Sequence, residues 1–134
     1  MRVGLDASCL ATNGRGFARY VQVLLEGFRT LKPPDLDLRL YSDERPRRFP
    51  LQHALWRTRD LVKAARRDGC DLIHFPDNAV ASCAPMKAVV TLHAIAPLLF
   101  PGLDLVSWPM RLYFRKVVAD IRRQAQVVIA VSET

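Results

Sequence analysis

Several chemistries are excluded by what the chain does not contain. Only three cysteines occur, Cys9, Cys70 and Cys83, an odd number without C-x-x-C spacing. That excludes a disulfide framework and a zinc knuckle, no metal site is expected, and reduced thiols point to a cytoplasmic protein. The opening Met1-Arg2-Val3-Gly4-Leu5-Asp6 lacks the apolar segment of a secretory leader. No run approaches the ~18 apolar residues that a membrane-spanning helix needs. There is no H-E-x-x-H pair, no G-x-S-x-G elbow and no cysteine-centred nucleophile signature. The full G-x-G-x-x-G and G-x-x-x-x-G-K-[ST] phosphate loops are missing as well. Aromatic residues make up 8 % of the chain and do not interleave with its basic clusters, which argues against single-stranded nucleic acid as a partner.

What is present is an ordinary soluble composition, with half the residues hydrophobic and a quarter charged. A chain of 134 residues fits one domain and buries roughly two-thirds of its unfolded surface, enough to stand without staples. The net charge is +7. Such an excess reads either as a site for an anionic partner or as a solvated basic surface.

Apolar periodicity gives the elements. Residues 3–7 read as a short buried strand and 88–92 as a continuous apolar core strand, with 71–75 and 127–131 as further strands. Residues 36–41 alternate at period two, the pattern of a strand with one wetter face. Between them, Phe17, Val21, Leu24, Phe28 and Leu31 fall in helical register, stopped by Pro33-Pro34. A second helix, residues 51–67, sets Leu51, Leu55, Leu61, Val62 and Ala65 against a basic side of Arg57, Arg59, Lys63, Arg66 and Arg67, with Gly69 as its C-terminal cap. A third spans residues 109–124. Strands alternating with helices predict a Rossmann-like, doubly wound parallel sheet, for which we expect strand order 3-2-1-4-5.

Ligands of such sheets bind beyond the carboxyl ends of the strands. Four polar features fall there. Asn13-Gly14-Arg15-Gly16 leads from a strand into a helix, whose N-terminal N–H groups suit a phosphate. The loop opening with His74 and running to Asn78 comes after the third strand, and its histidine reads either as a ligand contact or as a hydrogen-bonded sheet residue. His93 ends the most apolar strand, where an imidazole can donate to a sugar hydroxyl or phosphate, or serve as a hydrogen-bonded structural residue. Ser132 ends the last strand, as a helix cap or a ligand contact. Asp6 closes the first strand with no evident carboxylate partner.

These features together resemble the N-terminal domain of glycosyltransferase family 4, retaining enzymes of the two-domain GT-B fold. The resemblance lies in Met1-Arg2-Val3-Gly4-Leu5-Asp6-Ala7, in Gly14-Arg15-Gly16-Phe17-Ala18-Arg19-Tyr20, and in Asp71-Leu72-Ile73-His74-Phe75-Pro76. It continues through Val90-Thr91-Leu92-His93 with Phe100-Pro101, and ends on Val128-Ile129-Ala130-Val131-Ser132-Glu133. Two departures stand out: Ala94 takes the place of the family's usual aspartate, and the glycine loop is one residue longer than its common form. The resemblance implies an acceptor-side domain whose glycine loop faces a donor diphosphate. It also implies a separate C-terminal domain carrying an E-x7-E pair that this chain lacks, and transfer without a metal or other cofactor. On that basis His93 is the expected catalytic residue, and Asn13, Gly14, Arg15, Gly16, His74 and Ser132 the expected substrate contacts. The expected partners are a nucleotide-sugar donor and a glycan or lipid-linked acceptor of the kind used in cell-envelope polysaccharide synthesis. The inner face of an anionic membrane is a further expected partner, met through the basic side of residues 51–67. The competing reading is a stand-alone nucleotide- or phosphate-binding module without catalysis.

Overall fold

A computed structural model of the chain describes residues 1–11, 15–43, 50–81, 86–93 and 107–131, with the side chains of residues 15, 50 and 51 left out. Five strands, β1 (Arg2–Asp6), β2 (Asp37–Tyr41), β3 (Leu72–Phe75), β4 (Lys87–Leu92) and β5 (Ala125–Ala130), form one parallel sheet in the order β2-β1-β3-β4-β5. The helices are α1 (Arg15–Leu31), α2 (Pro50–Leu55), α3 (Val62–Arg67) and α4 (Trp108–Gln124), with a 3-10 turn at Ser8–Leu10 and a π-helical turn, Trp56–Leu61, that runs α2 into α3.

The α/β class matches the alternation of patterns in the sequence, but the strand order departs from our expectation. The order 3-2-1-4-5 would place β2 inside the sheet. Instead β2 is an edge strand, and β3 lies on the other side of β1. The reason is in the residues. Interior parallel strands are covered on both faces and read as continuous apolar runs. β2 interleaves its leucines with Asp37 and Arg39, and Arg39 and Leu40 are exposed. Charged residues of this kind protect an edge. Buried β1 and β3 take the interior positions.

Helices cover both faces of the inner strands, while the edge strand β5 is largely exposed. Leu5 of β1 packs on Val21, Phe17, Tyr20 and Leu24 of α1. The opposite face, with Ile73, Phe75, Ala88 and Val90, packs on Trp56, Leu61, Val62, Ala65 and Ile121 from the remaining helices. Gly69, at φ +71°, closes α3 as expected. Its N–H donates to the Arg66 carbonyl at 3.0 Å, and the Cys70 N–H donates to that of Ala65 at 2.9 Å. Those are the paired bonds of a Schellman cap.

The second helical segment differs from the expected amphipathic helix. Its π-helical turn fits in an extra residue and rotates the helix before it relative to the helix after it. Trp56 and Arg57 therefore face inward, while Leu55, expected on the apolar side, is 65 % exposed. The expected basic face loses Arg57, which is buried. Arg59, Lys63, Arg66 and Arg67 remain exposed.

Candidate active site

In an order of this kind the chain turns in opposite directions from β1 and β3, and ligands of such sheets bind beyond the carboxyl ends of the strands at that point. We expected β1 and β4 to be neighbours there. In fact β3 separates them, and α1 spans the gap from above. The ring of Phe17 and the ring of Tyr20 each meet the imidazole of His93 edge-on, with centroids 4.9 Å apart. The start of α1 and the end of β4 thus meet, although their strands do not.

His93 is fixed by the turn after β3. Its backbone N–H donates to Asn78 Oδ1 at 2.6 Å, and its Nε2 lies 2.8 Å from the Pro76 carbonyl oxygen. A carbonyl only accepts, so Nε2 carries the proton and donates it. Nδ1 is then the ring atom open to a ligand, since no described residue bonds to it. A neutral ring accepts a hydrogen bond there. Donation to a ligand, the role expected from the sequence, is open only to the imidazolium. Asn78 sits at φ +28°, a conformation that asparagine tolerates better than most residues, and its N–H donates to the Thr91 carbonyl at 3.1 Å.

His74 lies deeper. It is 8 % exposed, and its Nε2 is 2.8 Å from Thr91 Oγ1, which the Tyr20 hydroxyl also reaches at 3.1 Å. Burial pushes its pKa down to about 4, so the ring is neutral. Strand register puts Leu5, His74 and Thr91 on the face under α1. Tyr20 therefore touches both histidines, one through Thr91 and one by ring contact.

On the other face, a buried ion network closes the same edge. Arg57 is 5 % exposed. Its Nε donates to Asp6 Oδ2 at 2.8 Å, and one terminal nitrogen reaches both carboxylate oxygens of Asp77 at 2.7 and 2.9 Å. Burial works against the guanidinium's charge, but Asp77 and Asp6 outweigh it and hold its pKa above the ordinary value. The same nitrogen lies 3.0 Å from His53 Nε2. Because a guanidinium only donates, His53 Nε2 accepts there. Asp6 Oδ1 also accepts from the Ser8 N–H at 3.0 Å, so its partners are an amide and a guanidinium.

Two further features bear on chemistry. The Cys9 thiol, at this edge, is pushed up to about 11 by burial and by the nearby Asp77 and Asp6 charges, so it is held as a thiol and is no nucleophile. The first turn of α1 carries no acidic residue to offset its positive end, and a Cβ at Gly16 would point into open space. The fold itself does not require glycine at that position. Asn13, Gly14 and Ser132 lie outside the described residues, as does the side chain of Arg15. Tyr20 and Thr91 stand within the resembling segments, Asp77 within the loop after β3 and Arg57 on the basic side of residues 51–67, but their sequence context gives none of them a role at the site. Tyr20 was legible from helical spacing after Gly16, whereas Arg57 resembled its exposed basic neighbours.

A fixed histidine and a helix start without an acidic residue lie together at the carboxyl ends of the strands. The family model of Glycosyltransferase Family 4 matches residues 6–134. The chain belongs to that family, whose enzymes transfer sugar from a donor to an acceptor. Comparisons with curated proteins and with solved structures find no match. Among the described residues, no helix is long and apolar enough to cross a membrane.

Proposed function

We propose that the chain is the acceptor-side half of a retaining, hexosyltransferase-type enzyme that moves sugar from a nucleotide-sugar donor to a glycan or lipid-linked acceptor. The observation that carries this reading is the meeting of His93 with Phe17 and Tyr20 at the carboxyl ends of the strands, beside the unneutralised start of α1. The helix start suits the donor diphosphate. The open Nδ1 of His93 suits a sugar hydroxyl, which it receives as a neutral ring. His74 supports the site from below through Thr91 and Tyr20. Asn13, Gly14, Arg15 and Ser132 complete the substrate contacts in this reading, and the chemistry runs without a metal.

The carboxylates of the E-x7-E pair belong, in this reading, to a donor-binding half outside these 134 residues. The chain alone is then inactive. Purified chain incubated with a panel of nucleotide sugars and acceptors is expected to give no transfer above background. Protein-dependent transfer by the chain would contradict the reading. A second part of the proposal places the parent enzyme at the cytoplasmic face of an anionic membrane, held by the exposed Arg59, Lys63, Arg66 and Arg67. Vesicle sedimentation tests it, and equal binding to neutral and anionic vesicles would rule it out.

A further inference from the structure

Three facts about one turn carry a further assignment. Asp77 is gripped by Arg57 through both carboxylate oxygens. The residue before it, Pro76, supplies the carbonyl that receives the His93 ring proton. The residue after it, Asn78, supplies the side-chain oxygen that receives the His93 backbone N–H. Both bonds that fix His93 therefore come from the immediate neighbours of the carboxylate that Arg57 holds. Arg57 also lies over the ring of Phe75, 5.8 Å from its centroid, so it contacts the chain on both sides of Pro76. Its other arm is anchored on Asp6 at the end of β1. The π-helical turn delivers it there, because the extra residue turns Trp56 and Arg57 inward together.

We propose that Arg57 is a positioning residue for His93, acting through the turn of Pro76, Asp77 and Asn78. The guanidinium ties that turn to the end of β1, so the ends of β1 and β3 keep one spacing. The turn in turn holds the imidazole with Nε2 satisfied and Nδ1 presented. Asn78 sits in a left-handed conformation that costs energy, and a strained turn persists only where its surroundings over-determine it. The Asp77–Arg57 contact is one such constraint. The Asn78 N–H bond to the Thr91 carbonyl is another, and it spans to β4 itself. Loss of the first leaves the second, so the turn loosens locally while the sheet stays paired.

The assignment's importance rests on His93 being the site residue proposed above, but its test does not need transferase activity. Amide and imidazole N–H exchange in the chain is monitored by nuclear magnetic resonance. Asp77→Asn is the primary variant, because it leaves the Asp6–Arg57 pair in place. Arg57→Lys is the second, because it keeps the charge and loses the fork that spans Asp6 and Asp77. In both variants the His93 backbone N–H and its Nε2–H are expected to exchange about tenfold faster or more, as a locally opened segment does. The amides of Leu5 and Val90, inside the sheet, are expected to keep wild-type protection. Wild-type exchange at His93 in both variants would overturn the assignment. Equal loss of protection at Leu5, Val90 and His93 would also overturn it, since Arg57 would then act on the whole fold and not on the turn. Neither result depends on whether His93 contacts substrate.

Discussion

The two ends of the sheet are built from the same kinds of residue and use them differently. At the amino end, Arg2 donates to Asp37 at 2.7 Å, with side chains 39 % and 44 % exposed. Its backbone N–H donates to Asp71 Oδ2 at 2.6 Å, and its guanidinium also meets the Asp68 carbonyl. At the carboxyl end, Arg57 bridges Asp6 and Asp77 with its own side chain 6 % exposed. The first network lies in water, where competing solvent and salt leave such a pair little net effect. In the second, Arg57 and Asp6 are buried and Asp77 is 23 % exposed, so the buried charges depend on one another. The amino end ties chain segments together and ends there. The carboxyl end passes its constraint to the turn that holds His93.

The largest effect separates these two networks. Arg57→Gln removes the charge that meets Asp6 and Asp77 at this edge, and is expected to cost about 3–5 kcal/mol in chemical denaturation. Arg2→Gln is expected to leave the unfolding midpoint near that of wild type. Similar midpoints for the two variants would erase the distinction.

Next in size is a pH effect confined to the carboxyl end. His74 has a folded pKa of about 4, below its ordinary value of 6.5. As the pH falls, the unfolded chain takes up this proton before the folded one. Stability is then complete above about pH 6.5 and declines toward pH 4, by about 3 kcal/mol over the window. His74→Gln should flatten that part of the profile. Parallel profiles for wild type and variant between pH 6.5 and 4 would remove His74 as its source.

The smallest effect concerns Gly16. A Cβ there meets nothing within 4 Å, and alanine suits a helix better than glycine. Gly16→Ala should therefore raise stability by up to about 1 kcal/mol. In the complete transferase it should still lower transfer, by filling space kept for the donor. A variant both more stable and fully active would show that the open space is unused.

The contrast between the two ends also marks where the sequence could be read. β1, β3 and β4 were legible because an interior parallel strand must be apolar on both faces, and Leu5, Ile73 and Val90 repeat that requirement. Gly69 was legible because only a few residues close a helix with positive φ. The strand order was carried by Asp37 and Arg39, whose alternation marks an edge, and a reading that used it only to recognise a strand missed the consequence. His93 lies just past the carboxyl end of β4, as its place after an apolar strand implies, but the neighbour of that strand is β3 and not β1. Arg57 was not legible, since a π-helical turn changes which side chains face inward and residues 56–61 carry no sign of it in their spacing. Tyr20 and Thr91 were read as helix and strand residues. Their link to His74 exists only once α1 lies across β3 and β4.

Kinetics of His93→Ala in the complete transferase decide whether His93 acts on substrate at the carboxyl ends of the strands. Its folding should first be checked by thermal melting. If the imidazole contact tightens in the transition state, kcat should fall by about tenfold to a hundredfold with KM little changed, the loss typical of removing one hydrogen bond. A variant that melts like wild type and turns over at the wild-type rate would contradict the account and leave His93 a structural residue.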